Sequence, residues 1–256
     1  MDSIEEDTNH LKTVFIGNLE IGSIPRVVGS ITEAATFEVL RRSKEPPVID
    51  MAEVRWDMLG EPLPRLQQLC RGVARLAPVI FTARCRREGG SWSGSEADRR
   101  TAYLAAVPVV DAIDLEIASG LLPPLIRPAR KAGTVVIGSH HDFERTPKVS
   151  VLKDVVRRGR RAGVDIVKIA TFIRRAEDVF VLLELLGEVD GGPLCLIGMG
   201  PLGLQTRIRL ACDGSCLTYG FVDRPAAPGQ WSCGELVARL RESCASFDSD
   251  YLARRR

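Results

Sequence analysis

A single-domain (β/α)8 barrel is the fold class this sequence predicts, and three observations predict it. Eight short apolar runs alternate with helix-like segments at about thirty-residue spacing, which means parallel strands joined by helical crossovers. The chain is 256 residues long, an ordinary size for one such barrel. No Walker-type phosphate loop occurs, and open nucleotide-binding sheets usually stop at about five or six strands.

The elements are expected in the following order. A polar segment, about residues 1–12, precedes a first strand at Thr13–Gly17. A helix is expected over Pro25–Ser43, because Val27, Val28, Ile31, Ala35 and Val39 fall near helical spacing, and Pro46-Pro47 ends it. Val48–Val54 is the second strand, with Glu53, Arg55 and Asp57 at alternate positions; Pro64–Leu76 is the next helix. Pro78–Ala83 is the third strand, leading into Arg84 and Glu88-Gly89-Gly90, and Ser95–Ala106 is helical. Val109–Ile117 is the fourth strand, and a proline-bearing helix follows at Leu122–Lys131.

Val135-Val136-Ile137 is the fifth strand, which stops at Ser139-His140-His141-Asp142; a charged helix then runs to Arg161. Val164–Ala170 is the sixth strand, and Ala176–Gly187 is an amphipathic helix with a stop glycine. Pro193–Gly198 is the seventh strand, Leu202–Cys212 a helix and Ser215–Phe221 the eighth strand. After the loop Ala226–Gln230, Ser232 is placed to cap a last helix ending near Ser243. The basic tail through Ala253-Arg254-Arg255-Arg256 is expected to be solvated.

The stretch from Gly133 to Thr171 organises the chemistry. One strand ends on histidine, and the next carries Lys168 between Ile166, Val167, Ile169 and Ala170. Of the six lysines, only Lys168 sits in a β-like apolar run. In a parallel βαβ unit consecutive strands lie side by side and point the same way, which brings His141 and Lys168 to the same end of one sheet. Burying an ammonium is costly without a purpose, and desolvation in general favours the neutral amine that attacks a carbonyl. An imidazole beside such an amine is the equipment of Schiff-base chemistry.

Barrel active sites lie at the C-terminal ends of the strands. The polar residues expected there are Glu53, Arg55, Arg84, Glu88, Asp114, Glu116, His141, Lys168, Arg207 and Gln230. Taken singly, the loop charges read as a barrel-mouth ion-pair network, and Arg207 on a helix reads as surface charge. Asp114 and Glu116 share one face of their strand, where they would support neighbouring arginines. His140 and His141 point opposite ways in an extended segment and lack a third soft ligand, so no metal site is expected.

Composition narrows the classes further. Apolar residues make up 45% and charged residues 27%, as in an ordinary globular protein, and a net charge of +2 argues against a nucleic-acid surface. Seven scattered cysteines with no CxxC pair suit reduced thiols in the cytoplasm. The polar start does not suit a signal peptide, and no apolar run reaches membrane-spanning length.

The motifs together resemble the type I 3-dehydroquinate dehydratases of the shikimate pathway. The segments that carry the resemblance are MAEVRWD (51–57), FTARCRREGG (81–90), VDAIDLEI (110–117), GSHHDFERTP (138–147), GVDIVKIA (163–170), MGPLGLQTRI (199–208), LTYG (217–220) and AAPGQ (226–230). The resemblance implies a (β/α)8 barrel that uses no metal and no organic cofactor. It implies Lys168 as the Schiff-base lysine, His141 as general acid/base and Glu88 as the carboxylate orienting it. Arg207 would bind the substrate carboxylate, and Glu53, Arg55, Arg84 and Gln230 would line the polyol site, with Asp114 and Glu116 near them. The implied partner is the small molecule 3-dehydroquinate, and a homodimer is compatible with the family. Three positions depart from the pattern: His140 where tyrosine is frequent, Ala226 where serine is common, and Phe172-Ile173 where methionine-proline is frequent. Two other readings stay open: a different Schiff-base barrel such as a class I aldolase, and a non-catalytic barrel serving as a binding or assembly subunit.

Overall fold

The computed structural model describes residues 13–22, 24–42 and 48–255. The polar start and the Pro46-Pro47 helix stop lie outside the described residues. Among those described, the strands are β1 (Val14–Ile16), β2 (Leu19–Ile21), β3 (Arg26–Ile31), β4 (Met51–Arg55), β5 (Val79–Thr82), β6 (Ala112–Glu116), β7 (Val135–Asp142), β8 (Ile166–Phe172), β9 (Leu194–Met199) and β10 (Leu217–Phe221). The helices are α1 (Ala34–Arg42), α2 (Trp56–Leu59), α3 (Leu66–Ala74), α4 (Glu96–Ala106), α5 (Leu122–Ala132), α6 (Val149–Ala162), α7 (Ala176–Glu188), α8 (Thr206–Cys212), α9 (Cys233–Ser243) and α10 (Ala245–Ala253).

Eight strands pair in parallel in the order β10-β3-β4-β5-β6-β7-β8-β9. β9 and β10 bring the two ends of this sheet together: Cys216 N–H donates to Leu194 O at 3.0 Å, and Leu196 N–H donates to Ser215 Oγ at 2.9 Å. The fold is therefore a (β/α)8 barrel, the class the sequence predicts. Odd and even positions part cleanly. Val54, Phe81, Ile113, Leu115 and Val136 pack outward against helix residues such as Leu66, Tyr103, Leu122 and Leu125. On the far side, Val167, Ile169 and Leu196 meet Leu152, Val155 and Leu182 of α6 and α7. Their alternates, Met51, Ile80, Ala112, Ile137, Ile166 and Cys195, fill the lumen.

Two expectations at the start of the chain are corrected. Thr13–Gly17 does not supply the first barrel strand; β1 instead forms an antiparallel hairpin with β2. Its turn needs Gly17, whose φ is +58° and whose Cβ would come within 2.7 Å of Pro78. Val14, Ile16, Leu19 and Ile21 of the hairpin join the lumen cluster, next to residues near the N-terminal ends of the strands. The first barrel strand is β3, inside the segment expected to be helical, and α1 is confined to Ala34–Arg42. Every residue of β3 is buried, so the strand shows no in-out alternation, and its valines and isoleucine satisfy either period.

The tail is solvated as expected, with Ala253, Arg254 and Arg255 exposed, but it closes a helix that is docked on the barrel. Phe247 and Tyr251 of α10 are buried, Asp250 pairs with Arg26 at 2.5 Å, and Arg254 pairs with Asp50 at 2.6 Å. Asp50 also accepts the Val27 N–H at 2.8 Å, so α10 is tied to the starts of β3 and β4. Among the described residues, no helix is long and apolar enough to cross a membrane.

Asp223, just after β10, holds the first turn of α1. Its carboxylate accepts from Thr32 N at 2.9 Å, Thr32 Oγ1 at 2.7 Å, Glu33 N at 2.9 Å and Thr36 Oγ1 at 2.9 Å. Burial opposes its ionisation, but these donors prevail and hold the carboxyl below its usual range. A depressed folded pKa gives stability that is present above the unfolded pKa near 4 and is lost as pH falls through the lower, folded value. Asp223→Ala is expected to cost about 1–2 kcal/mol at neutral pH and less in acid, read by urea unfolding at both pH values. Equal losses at both would show that the carboxylate's charge is not what matters.

Candidate active site at the strand ends

The lumen changes from apolar to ionic above the hairpin. On β8, Lys168 Nζ points into the lumen, and its side chain is 5% exposed. It is not in apolar surroundings: Asp114 Oδ2 lies at 2.8 Å, Glu53 Oε1 at 3.9 Å and the Tyr219 ring centroid at 3.9 Å. The β6 alternation brings Asp114 and Glu116 to this face together, as expected. Arg84, at the end of β5, bridges them, reaching Asp114 at 2.5 Å, Glu116 at 3.2 Å and Ser139 Oγ at 2.7 Å. Burial opposes ionisation of Asp114, yet Arg84 and then Lys168 hold its carboxyl far below the usual range. Glu53 is fixed from both sides by Ser30 Oγ at 2.7 Å and Thr82 Oγ1 at 2.9 Å. Arg55 forms a fork onto Asp57 at 3.1 and 2.9 Å, and Asp57 also accepts Ser91 N–H at 2.9 Å.

Three buried acids (Glu53, Asp114, Glu116) thus face three buried bases (Arg84, Arg99, Lys168) in one network, beside the separate Arg55–Asp57 pair. Such balance is what makes burial of so many charges tolerable. Arg99 comes from helix α4, is 2% exposed, and pairs with Glu116 at 2.8 Å. Glu116 in turn accepts Cys85 N–H at 2.9 Å, anchoring the loop that carries Glu88.

His141 lies at the lumen end of β7, in register with Ala170, while His140 pairs with Ile169 on the opposite face, as extended backbone requires. One oxygen of Glu88, Oε2, accepts from the backbone N–H of His141 and lies 2.9 Å from its Nδ1. The two adjacent glycines make this reach feasible. Gly89 has φ +74°, and a Cβ there would collide with the Phe143 ring, which stacks beside His141 at 6.4 Å. Burial, then Arg84 and Lys168, push the imidazole well below its usual pKa, so it rests as a neutral base. Burial pushes the Glu88 carboxyl up to about 7.

These two directions set a pH dependence. When Glu88 is ionised, it accepts Nδ1–H and leaves the Nε2 lone pair free. When Glu88 is protonated, below about pH 7, it donates to Nδ1 instead and reverses the tautomer. The share of His141 with a free Nε2 lone pair therefore rises as pH climbs through that value. Glu88→Gln is expected to lower turnover by about tenfold to a hundredfold and to erase the limb near pH 7, since an amide does not ionise. A pH–rate profile that keeps its limb would refute the pairing.

Arg207 is where the sequence read in isolation misleads most. It is 2% exposed and lies on α8, its guanidinium bonded only to carbonyls: Gly229 O at 2.7 Å and Tyr219 O at 3.1 Å. Among the described residues no carboxylate pairs with it, and burial pushes its pKa down to about 10. An uncompensated buried cation facing a cavity is a site for an anion. Gln230 closes the same side, its Oε1 accepting Ala226 N–H at 2.8 Å.

One cavity, open to solvent, is lined by eight of the ten residues expected at the strand ends: Glu53, Arg55, Arg84, Glu88, His141, Lys168, Arg207 and Gln230. Asp114 and Glu116 lie behind its wall. Reading the sequence alone missed Ser30, Thr82, Ser139, Arg99 and Tyr219. Ser139 could have been found by stepping two residues back from His141; nothing in a helical arginine such as Arg99 signals burial. Among the described residues no group of three or more His, Cys, Asp or Glu side chains is arranged to hold a metal ion.

Comparison with known proteins agrees with this geometry. Residues 47–245 match the family model of type I 3-dehydroquinase. The chain is 34% identical over 229 residues to a 3-dehydroquinate dehydratase of Methanococcoides burtonii, covering 86% of this chain and 95% of that one. It is 29% identical over 256 residues to that of Enterococcus faecalis, covering 94% and 100%. A crystal structure of the type I 3-dehydroquinate dehydratase from Clostridium difficile, with covalently modified comenic acid, superposes with a TM-score of 0.82 at 27% identity, covering 90% of this chain and 97% of that one.

Proposed function

The chain belongs to the type I 3-dehydroquinase family of hydro-lyases, and on that premise we propose that it dehydrates 3-dehydroquinate to 3-dehydroshikimate through an imine on Lys168. The observation that carries this reading is the convergence of a buried lysine, a neutral histidine and an unpaired buried arginine on one cavity. Lys168, as the free amine, adds to the ketone and the adduct loses water. Counted from the ammonium, the exchange is one ketone oxygen and two nitrogen protons released as water, with the positive charge kept on nitrogen. The iminium acidifies the neighbouring C–H. His141 takes that proton, the electron pair forms an enamine, and the enamine expels the β-hydroxyl as water with the proton His141 returns. One group acting first as base and then as acid suits a syn elimination. Water then hydrolyses the product imine and frees the lysine.

Glu88 orients the imidazole in this scheme, and Arg207 holds the substrate carboxylate. Glu53, Arg55, Arg84 and Gln230 line the polyol face, while Asp114 keeps the lysine nitrogen in place. No step calls on a metal or organic cofactor. The covalently modified comenic acid in the Clostridium difficile relative supports covalent chemistry in this family. We place the reaction in shikimate synthesis and the protein in the cytoplasm, where the described cysteines, all free thiols, remain reduced. The family resemblance further suggests a homodimer.

The test is direct. Dehydroquinate should give an ultraviolet-absorbing conjugated enone, and borohydride added during turnover should fix a stable mass on the Lys168 peptide. A carbon–carbon cleavage product would favour an aldolase, and no turnover at all a binding subunit; label on Lys148 or Lys153 would displace Lys168.

Ala226 gives a milder prediction. Its methyl lines the cavity near Arg207, where a serine hydroxyl would add a hydrogen bond to the carboxylate. Ala226→Ser is expected to lower KM several-fold, from about 1–2 kcal/mol of added binding, with little change in kcat. An unchanged or raised KM in steady-state assays would mean that Gln230 or a water already fills that role.

A further inference from the structure

We infer that Tyr219 is a positioning residue for the covalent lysine, acting through the face of its ring and not through its hydroxyl. This inference rests on the Schiff-base reading of Lys168. Tyr219 is 3% exposed on β10, and Lys168 Nζ sits 3.9 Å from its ring centroid, within cation–π range. Its hydroxyl is buried and has no hydrogen-bond partner. A tyrosine kept for its hydroxyl would present that group to a donor, an acceptor or the open cavity; this one does none of these. The ring does have a neighbour, and it is the reacting nitrogen. The backbone carbonyl of Tyr219 also receives Arg207 Nη1 at 3.1 Å, a contact that survives side-chain substitution.

The ring matters because the other contacts of the nitrogen do not all outlast imine formation. An ammonium has three N–H donors, which serve Asp114 at 2.8 Å and approach Glu53 at 3.9 Å. An iminium retains one. Hydrogen bonding therefore weakens as the covalent bond forms, whereas attraction to a π face needs charge and no donor. Within the covalent cycle the carbinolamine is neutral. Its hydroxyl takes up one proton and leaves as water, the nitrogen lone pair becomes the second C–N bond, and the positive charge returns to nitrogen beside the ring. The ring thus holds the nitrogen in place and favours the collapse that generates the reactive iminium.

Two variants separate ring from hydroxyl. Tyr219→Leu removes the π face and is expected to lower kcat about tenfold, ~1.36 kcal/mol by the rate relation, with KM within about twofold, and to lower the fraction trapped by borohydride at fixed exposure. Tyr219→Phe keeps the ring, is expected to recover most of that loss, and should melt at the same or a higher temperature, because it removes an unsatisfied buried hydroxyl. A Leu variant with wild-type kcat and trapping overturns the inference, and so does a Phe variant as slow as Leu. A wild-type enzyme that turns over without any trapped adduct overturns the Schiff-base reading itself and this inference with it; trapped wild type with either of the former outcomes overturns this inference alone.

Discussion

Lys168→Arg is expected to fold and to lose turnover by about a thousandfold or more, with no adduct formed under borohydride. The arginine keeps a positive charge opposite Asp114 and Glu53, so the ionic network stays balanced, but a guanidinium does not add to a ketone to give an imine. Lys168→Met separates the two roles of the residue from the other direction. It removes both the proposed nucleophile and its charge, and leaves the buried acids Glu53, Asp114 and Glu116 facing one base fewer. Breaking one partner out of a buried ionic network typically costs about 3–5 kcal/mol, so the methionine variant should be inactive and also melt well below wild type. Steady-state kinetics, borohydride trapping and thermal unfolding of the two variants check this. An arginine variant retaining more than about a hundredth of wild-type turnover would mean that the lysine acts by charge, and the covalent reading would fail.

How much of this was legible beforehand follows from what each residue's neighbours in sequence reveal. Lys168 was legible because lysine is conspicuous between valine and isoleucine in a strand. The shared face of Asp114 and Glu116 was legible because a strand's period is two and tertiary context does not change it. Even the split of His140 from His141 followed from that rule. β3 was not legible: a strand buried on both faces has no period to read, so Val27, Val28 and Ile31 fitted a helix as well. TVFIG reads as a barrel strand because an apolar run of this length is the same in a hairpin plug and in a barrel wall. The signal that separates them is the two-residue turn at Gly17-Asn18, followed at once by a second short run, LEI.

The arginines mark the other limit. Arg99 and Arg207 sit on helices, where the default for a long charged side chain is solvent. What buries them lies far along the chain: Glu116 for Arg99, and the carbonyls of Tyr219 and Gly229 for Arg207. No local pattern encodes those partners. Arg207 could be assigned a role in advance only through the family resemblance. Its geometry now gives a physical reason for that role, because a guanidinium bonded to carbonyls alone retains its full charge for an incoming carboxylate.

His141→Ala is expected to lower kcat by about a hundredfold to ten-thousandfold, the usual range for removing a general acid/base, while leaving imine formation in place. The argument follows from the division of labour in the cavity. The proposed nucleophile is on β8 and the proposed base on β7, and His141 makes no hydrogen bond or ion pair with Lys168, so losing the imidazole leaves the contacts of Nζ to Asp114 and Tyr219 intact. Glu88 also keeps its anchor, because Oε2 accepts from the backbone N–H of residue 141 whatever the side chain is. The iminium should then form but not eliminate, and borohydride should trap a larger share of the enzyme than in wild type, as an adduct with the mass of the substrate imine rather than the product imine. The mutant should also lose the wild-type limb near pH 7, because Glu88 no longer has an imidazole whose tautomer it can set. Mass spectrometry of the trapped protein alongside the pH–rate profile decides it. A His141→Ala enzyme with near-normal kcat would place the proton transfer elsewhere, and one that fails to trap substrate would mean that the imidazole is needed to make the imine as well as to use it.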